Sequence, residues 1–239
     1  MLYSDVRITA LMVSQLREPV LHLAMQASDI MQTFYKALQT SHRLSLSDLL
    51  TFGGASYADL KLTINTFRGG GRIDITPAAL VVDLRNLHRE TGYAEVAKEH
   101  LQLCEDTLRK AMKSVEISER LMRATMWLAC DGGPAAVEAF LGEKGNAALK
   151  LDQGAYAALK KEFTLQFNGL DAPKATKVGL ALQRSMGEGD LFVQFDHTHY
   201  GSPTVTQTVE EQFEAARKEL QALMLHIGLK PRKDDAGHT

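Results

Sequence analysis

His197-Thr198-His199 follows directly on Asp196 at the end of an alternating segment. In extended backbone successive side chains alternate, so His197 and His199 share one side and could reach the same metal ion. Zinc sites take three or four ligands, and no further Cys or His stands at a recognisable spacing from this pair. The shared side is also the one carrying Val193 and Phe195, which should face helices. The pair is therefore expected to cap a strand end or hold a loop, and neither a metal nor a cofactor is expected.

Gly69-Gly70-Gly71 lies between two strand-like segments and lacks the Lys, the Ser/Thr and the following helix of a phosphate loop. It reads as a hairpin turn that needs positive φ. Gly53-Gly54 closes an insertion, and Asp131-Gly132-Gly133-Pro134 reads as a strand-to-helix turn. The two cysteines, Cys104 on the apolar side of a helix and Cys130 at a strand end, read as buried free thiols. His22, His100 and His226 are scattered over helices, and the Glu105/Asp106 pair is expected on a solvated helix exterior. No G-x-S-x-G, H-E-x-x-H or C-x-x-C occurs, so no motif names a reaction. Catalytic groups converge in space more than in sequence, but the reading leans away from an enzyme.

The elements that must position these residues read as one unit written twice. Residues 6–113 give strand, helix, three strands and a long helix, and residues 117–227 give the same order. Ile8, Ala10 and Met12 alternate with polar positions, and Met122, Ala124 and Met126 repeat that alternation 114 residues later. Pro19 and Pro134 are both expected in the first turn of a helix. Leu60, Leu62 and Ile64 answer Phe163, Leu165 and Phe167; Leu80, Val82 and Leu84 answer Leu191, Val193 and Phe195. The expected fold is α+β: an internal duplication of a βαβββα unit, with antiparallel-rich sheet and helices on one face. The first unit covers 1–115, the second 116–229, and 230–239 is a polar, frayed tail. The connection Lys113 to Glu119 is short, so the units are expected to fuse into one globular domain. In outline this resembles duplicated ferredoxin-like and saddle-shaped architectures, a likeness that carries no function.

Helical stripes at Val20, Leu23, Ala27, Ile30, Phe34 and Leu38, at Ala97, Leu101, Cys104 and Leu108, and at Val209, Phe213, Ala216 and Leu220 each need a sheet to cover. The other sheet face then presents polar residues: Asn65 and Arg72 from the first unit, and Arg123, Thr125, Trp127, Phe192 and Gln194 from the second. Trp127 is the chain's only Trp. A plain solvated face, a binding surface, and a face that pairs with a second copy all fit this pattern. Lys+Arg of 27 against Asp+Glu of 29 gives a net charge of −2, which offers nucleic acid no general attraction. Nothing reads as a membrane span or signal peptide, and a cytoplasmic location is expected. The function expected is binding through the polar sheet face. The alternative is a small-molecule binding protein or enzyme with a pocket between sheet and helices.

Overall fold

In the computed structural model the described residues are 1–42, 44–53, 56–85, 92–149, 164–171, 175–185, 187–201 and 204–232. The chain begins with a long strand, β1 (Leu2–Leu16), and continues through α1 (Leu23–His42), β2 (Leu49–Phe52), β3 (Lys61–Thr66), β4 (Gly71–Ile75) and β5 (Ala79–Leu84). Then come α2 (Tyr93–Ala111), β6 (Ile117–Cys130), α3 (Gly133–Leu149), β7 (Thr164–Asp171), β8 (Thr176–Arg184), β9 (Leu191–Tyr200), α4 (Val209–His226) and β10 (Lys230–Pro231). The class is α+β; the described residues form four α-helices and one large sheet in the order β2-β3-β4-β5-β1-β6-β9-β8-β7. Every neighbouring pair along that path is antiparallel; β10 adds parallel to β1.

Directly opposed residues of an antiparallel ladder share a face. Ile64, Ile73, Val82, Met12, Met122, His197 and Val178 are successive partners and so form one row across the sheet. All seven are buried. Leu23, Ile30, Phe34 and Leu38 of α1 and Leu101, Cys104 and Leu108 of α2 pack on the β1–β5 side of this face. Val137 and Leu141 of α3 and Ala216 and Met224 of α4 pack on the β6–β9 side. Each core borrows from the other half of the chain: Met122, Val205 and Val209 belong to the first, Tyr3 and Ile8 to the second.

Several local outcomes differ from the sequence reading. Pro19 lies before α1, not in its first turn. Val20 N–H donates to Pro77 O (2.8 Å), and the Tyr57 hydroxyl bridges Val20 O and Leu23 N–H, so the segment is tied to these groups and passes through a turn at Leu21–His22 before α1 begins at Leu23. Pro134 does stand in the first turn of α3. The insertion after α1 contains β2, which pairs with β3 as an edge strand. Lys230 and Pro231, expected to fray, pair with Leu2 and Tyr3, and Arg232 N–H donates to Tyr3 O (2.8 Å). Phe167 follows the helix-facing alternation but is 49% exposed on edge strand β7, and Leu165 is only partly buried. Phe163 lies outside the described residues, as do residues 233–239.

The turn expected at Gly69–Gly71 is a short 3-10 segment in which Phe67, Arg68 and Gly69 all have positive φ. Gly71 is required for a different reason. A Cβ there would sit 2.2 Å from Thr66 Oγ1 and 2.8 Å from the Phe67 ring. In α4 the sequence Thr208-Val209-Glu210-Glu211 forms a capping box, with Glu211 N–H donating to Thr208 Oγ1 (3.1 Å) and Thr208 N–H to Glu211 Oε2 (2.8 Å).

The largest correction concerns Glu105. It is not on a solvated exterior but 3% exposed beneath α2, whereas Asp106 is exposed. Arg120, wholly buried on β6, grips the Glu105 carboxylate through Nε and Nη2, and Ser14 Oγ donates to Oε2 (2.9 Å). Arg120 Nη1 also donates to Gln207 O (2.9 Å) and to Gln212 Oε1 (3.1 Å). This network ties β1, α2, β6 and α4 together where the two halves meet. Burial alone would raise the Glu105 carboxyl, but the Arg120 hydrogen bonds and the Arg120 and Arg109 charges outweigh it and hold it below its usual value.

Candidate functional site: the open sheet face

The face opposite the helices is assembled by strict alternation. In β1 the odd positions from Arg7 onward point away from the helices, and in β6 Leu121, Arg123, Thr125 and Trp127 do the same. Trp127 pairs with Arg7 on one side and Phe192 on the other, Thr125 with Thr9 and Gln194, and Arg123 with Leu11 and Asp196. Five expected site residues therefore meet on two adjacent strands: Arg123, Thr125 and Trp127 of β6 with Phe192 and Gln194 of β9. Asn65 and Arg72 share the face and pair with each other on β3 and β4. Arg72 lies in the same row as Arg123, through Asp83 and Leu11, with β5 and β1 between them. At normal strand spacing that separation is ~14 Å, so the seven residues form two clusters on one surface.

The aromatic cluster has a defined geometry. Trp127 and Phe192 meet edge to face, with centroids 5.3 Å apart and planes at 71°. The Arg7 guanidinium lies 4.8 Å from the Trp127 ring centre, and its Nη1 reaches Glu188 at 3.5 Å. Arg7 Nε is buried and makes no hydrogen bond, so the cation is held by the ring and the carboxylate.

Several charges of the face are paired within it. Arg123 holds Asp196 in a two-point contact, Nε to Oδ1 at 2.6 Å and Nη2 to Oδ2 at 2.8 Å. Arg72 Nε donates to Asp74 Oδ1 (3.0 Å), Lys61 Nζ lies 3.9 Å from the same carboxylate, and Arg85 pairs with Asp83 at 2.6 Å. Between these pairs runs an apolar rib that the sequence reading did not weigh as a surface: Val81, Val13 and Leu121 are successive cross-strand partners, flanked by Asp74 and Thr198. The signal was present in the alternation of β1, whose outward positions change from Arg7 and Thr9 to Leu11 and Val13.

The other chemistry-bearing residues lie on the helix side. His197 is mid-strand and buried, not a strand-end cap, and Gln212 Nε2 of α4 donates to its carbonyl at 3.2 Å. His199 points the same way, next to Arg120 in the neighbouring strand, with Nδ1 3.4 Å from Thr176 Oγ1. Burial and the neighbouring His199 lower the His197 pKa to about 4. Half-buried His42 and buried His100 and Cys104 form a chain, with His42 Nε2 2.9 Å from His100 Nδ1 and His100 Nε2 3.6 Å from Cys104 Sγ. Cys104 is inaccessible and burial pushes its thiol up, so it is no nucleophile. Both cysteines are buried and free. Among the described residues no group of three or more His, Cys, Asp or Glu side chains is placed to hold a metal ion. Likewise no described helix is long and apolar enough to cross a membrane. Compared with known protein families and with curated proteins, the chain matches none.

Proposed function

We propose that this chain is a cytoplasmic, non-enzymatic interaction protein whose open sheet face docks against another protein surface. The observation that carries the reading is the asymmetry of the sheet: the helices cover one face, and the other presents Trp127, Phe192 and an apolar Val81–Val13–Leu121 rib among internally paired charges. Antiparallel sheets tolerate one wet face, but a merely wet face has no need of a Trp edge-stacked on a Phe or of an aliphatic rib. Interface centres are depleted in net charge and enriched in aromatics and Arg, which is the composition around Trp127. Pairing Arg123 with Asp196 and Arg72 with Asp74 weakens the positive field that nucleic acid would need.

The face is also where the proposed internal duplication has its consequence. Outward from the central pair, β1 is followed by β5, β4 and β3, and β6 by β9, β8 and β7. That order supports two βαβββα units joined edge to edge, with β2 and β10 as additions. At the position answering Trp127 the first unit has Val13, so the surface is lopsided, and the second unit carries the anchor. Trp127→Ala should abolish partner capture or self-association and leave the far-ultraviolet circular dichroism unchanged, whereas Met25→Ala, on the exposed side of α1, should change neither. Unaltered capture and unaltered sedimentation in Trp127→Ala would remove the face from consideration.

A further inference from the structure

The centre of the helix-covered face is unusual. Leu84, Ala10, Ala124 and Phe195 are successive partners across β5, β1, β6 and β9. The two ends of this row are sealed, at 0% and 2% exposure, yet the two alanines between them are only partly buried. Space above Ala10 and Ala124 is therefore reachable from outside in the middle of the core layer.

The roof explains why. Helices α2 and α4 run antiparallel across this spot, linked by Glu95–Arg217 (3.7 Å), Lys98–Glu214 (3.1 Å) and Gln102–Glu210 (3.1 Å). Below those links the roof mixes Ala94 and Ala97 of α2 and Ala216 of α4 with the larger Leu101, Phe213 and Leu220, and a cavity of about 130 Å³ is left above the two floor alanines. Met122, Met126 and Met224 wall it, and thioethers adapt readily to an occupant's shape.

One end of the cavity is polar. A bulge in β1 between Asp5 and Arg7 turns Tyr3 and Asp5 to the helix side, where they line the cavity with Tyr93, Arg217 and Gln221. Burial, reinforced by the Asp5 charge, raises the Tyr3 phenol to about 12 and pushes Tyr93 up as well, so both keep their protons. The cavity thus has an apolar body and a hydrogen-bonding end.

We propose that this seam cavity is a ligand site for a small uncharged molecule, one aromatic ring or a short alkyl chain carrying at most a single hydroxyl, with the hydroxyl at the Asp5–Tyr93 end. Its size excludes a peptide segment, and an apolar space of this order, ~150 Å³, can take up a benzene-sized molecule. The site lies on the opposite side of the sheet from Trp127, so it stands or falls independently of the open-face reading.

The probes are toluene and p-cresol, titrated into the full chain with methionine methyl groups labelled for NMR. Both should shift the methyls of Met122, Met126 and Met224 saturably and leave those of Met25 and Met31 on α1 unmoved. Ala124→Leu and Ala216→Leu each fill the cavity, and whichever retains the wild-type circular dichroism should lose the shifts. Asp5→Asn should weaken p-cresol several-fold more than toluene. Absence of saturable shifts up to the solubility of both probes overturns the proposal. So do shifts spread equally over all five methyls, or shifts that persist in a folded cavity-filled variant. Equal effects of Asp5→Asn on the two probes overturn the assignment of the polar end.

Discussion

Glu105 and Arg120 join the two halves of the chain by a buried ion pair beside the β1–β6 ladder. Removing one member of a buried ion pair leaves the other charge unpaired, at a cost of ~3–5 kcal/mol. Glu105→Gln should therefore destabilise the protein by that amount in chemical denaturation, while Asp106→Asn, on the exposed side, should be close to neutral. A loss below ~1 kcal/mol for Glu105→Gln would mean that water reaches the pair. The position was legible from helical phase: Glu105 stands four residues after Leu101 and three before Leu108, inside the apolar stripe. Reading it with its neighbour Asp106 hid that phase. Arg120 likewise shares the parity of Met122 and Ala124, yet no local pattern marks an Arg whose partner lies on a helix 15 residues upstream.

The buried imidazoles set a pH dependence of their own. His100 is lowered to about 3, by burial and then by His42, and His197 to about 4. Unfolded, each would take up a proton near ~6.5. Between those values the unfolded chain binds protons that the folded chain refuses, so stability is full above ~6.5 and falls as the pH drops toward 4. Each such group contributes a slope of up to ~1.4 kcal/mol per pH unit. The Glu105 contribution adds only below its ordinary value of ~4.3, so urea midpoints at pH 7, 6 and 5 isolate the histidines. His100→Gln should flatten that slope, and a wild-type midpoint constant from pH 7 to 5 would contradict the burial of both rings.

At the scale of elements, alternation located β1, β3 to β6, β8 and β9 and placed their apolar sides correctly. It could not say which strand ends the sheet. Leu165 and Phe167 alternate as well as Leu62 and Ile64 do, but β7 is an edge strand while β3 is flanked by β2 and β4. Leu62→Ala should cost ~2–5 kcal/mol, the usual loss for a deleted core leucine. Leu165→Ala should cost less than half as much, measured by the same urea titration; equal losses would place β7 inside the core. The late start of α1 was also out of reach, because Pro19 is a sound helix-start signal that the remote Pro77 carbonyl and Tyr57 hydroxyl override.

For the whole molecule, the seven residues expected on one surface do share it, because parity in an antiparallel sheet propagates from strand to strand. Their division into two clusters depended on strand order, which no stretch of sequence encodes locally. The aliphatic rib was visible in β1 but acquires meaning only when Val13 meets Val81 and Leu121. The proposed role rests on that face being covered by another protein in the cell. Incorporation of a photo-crosslinking phenylalanine analogue at Gln194, beside Trp127 and Phe192, tests this most directly, with the same analogue at Met25 as the control. The Gln194 position should yield a discrete adduct, either a doubled chain or a defined heterologous band, that disappears in the Trp127→Ala background and is absent from Met25. No adduct at Gln194, or the same adducts from both positions with and without Trp127, would contradict an interface on the open sheet face.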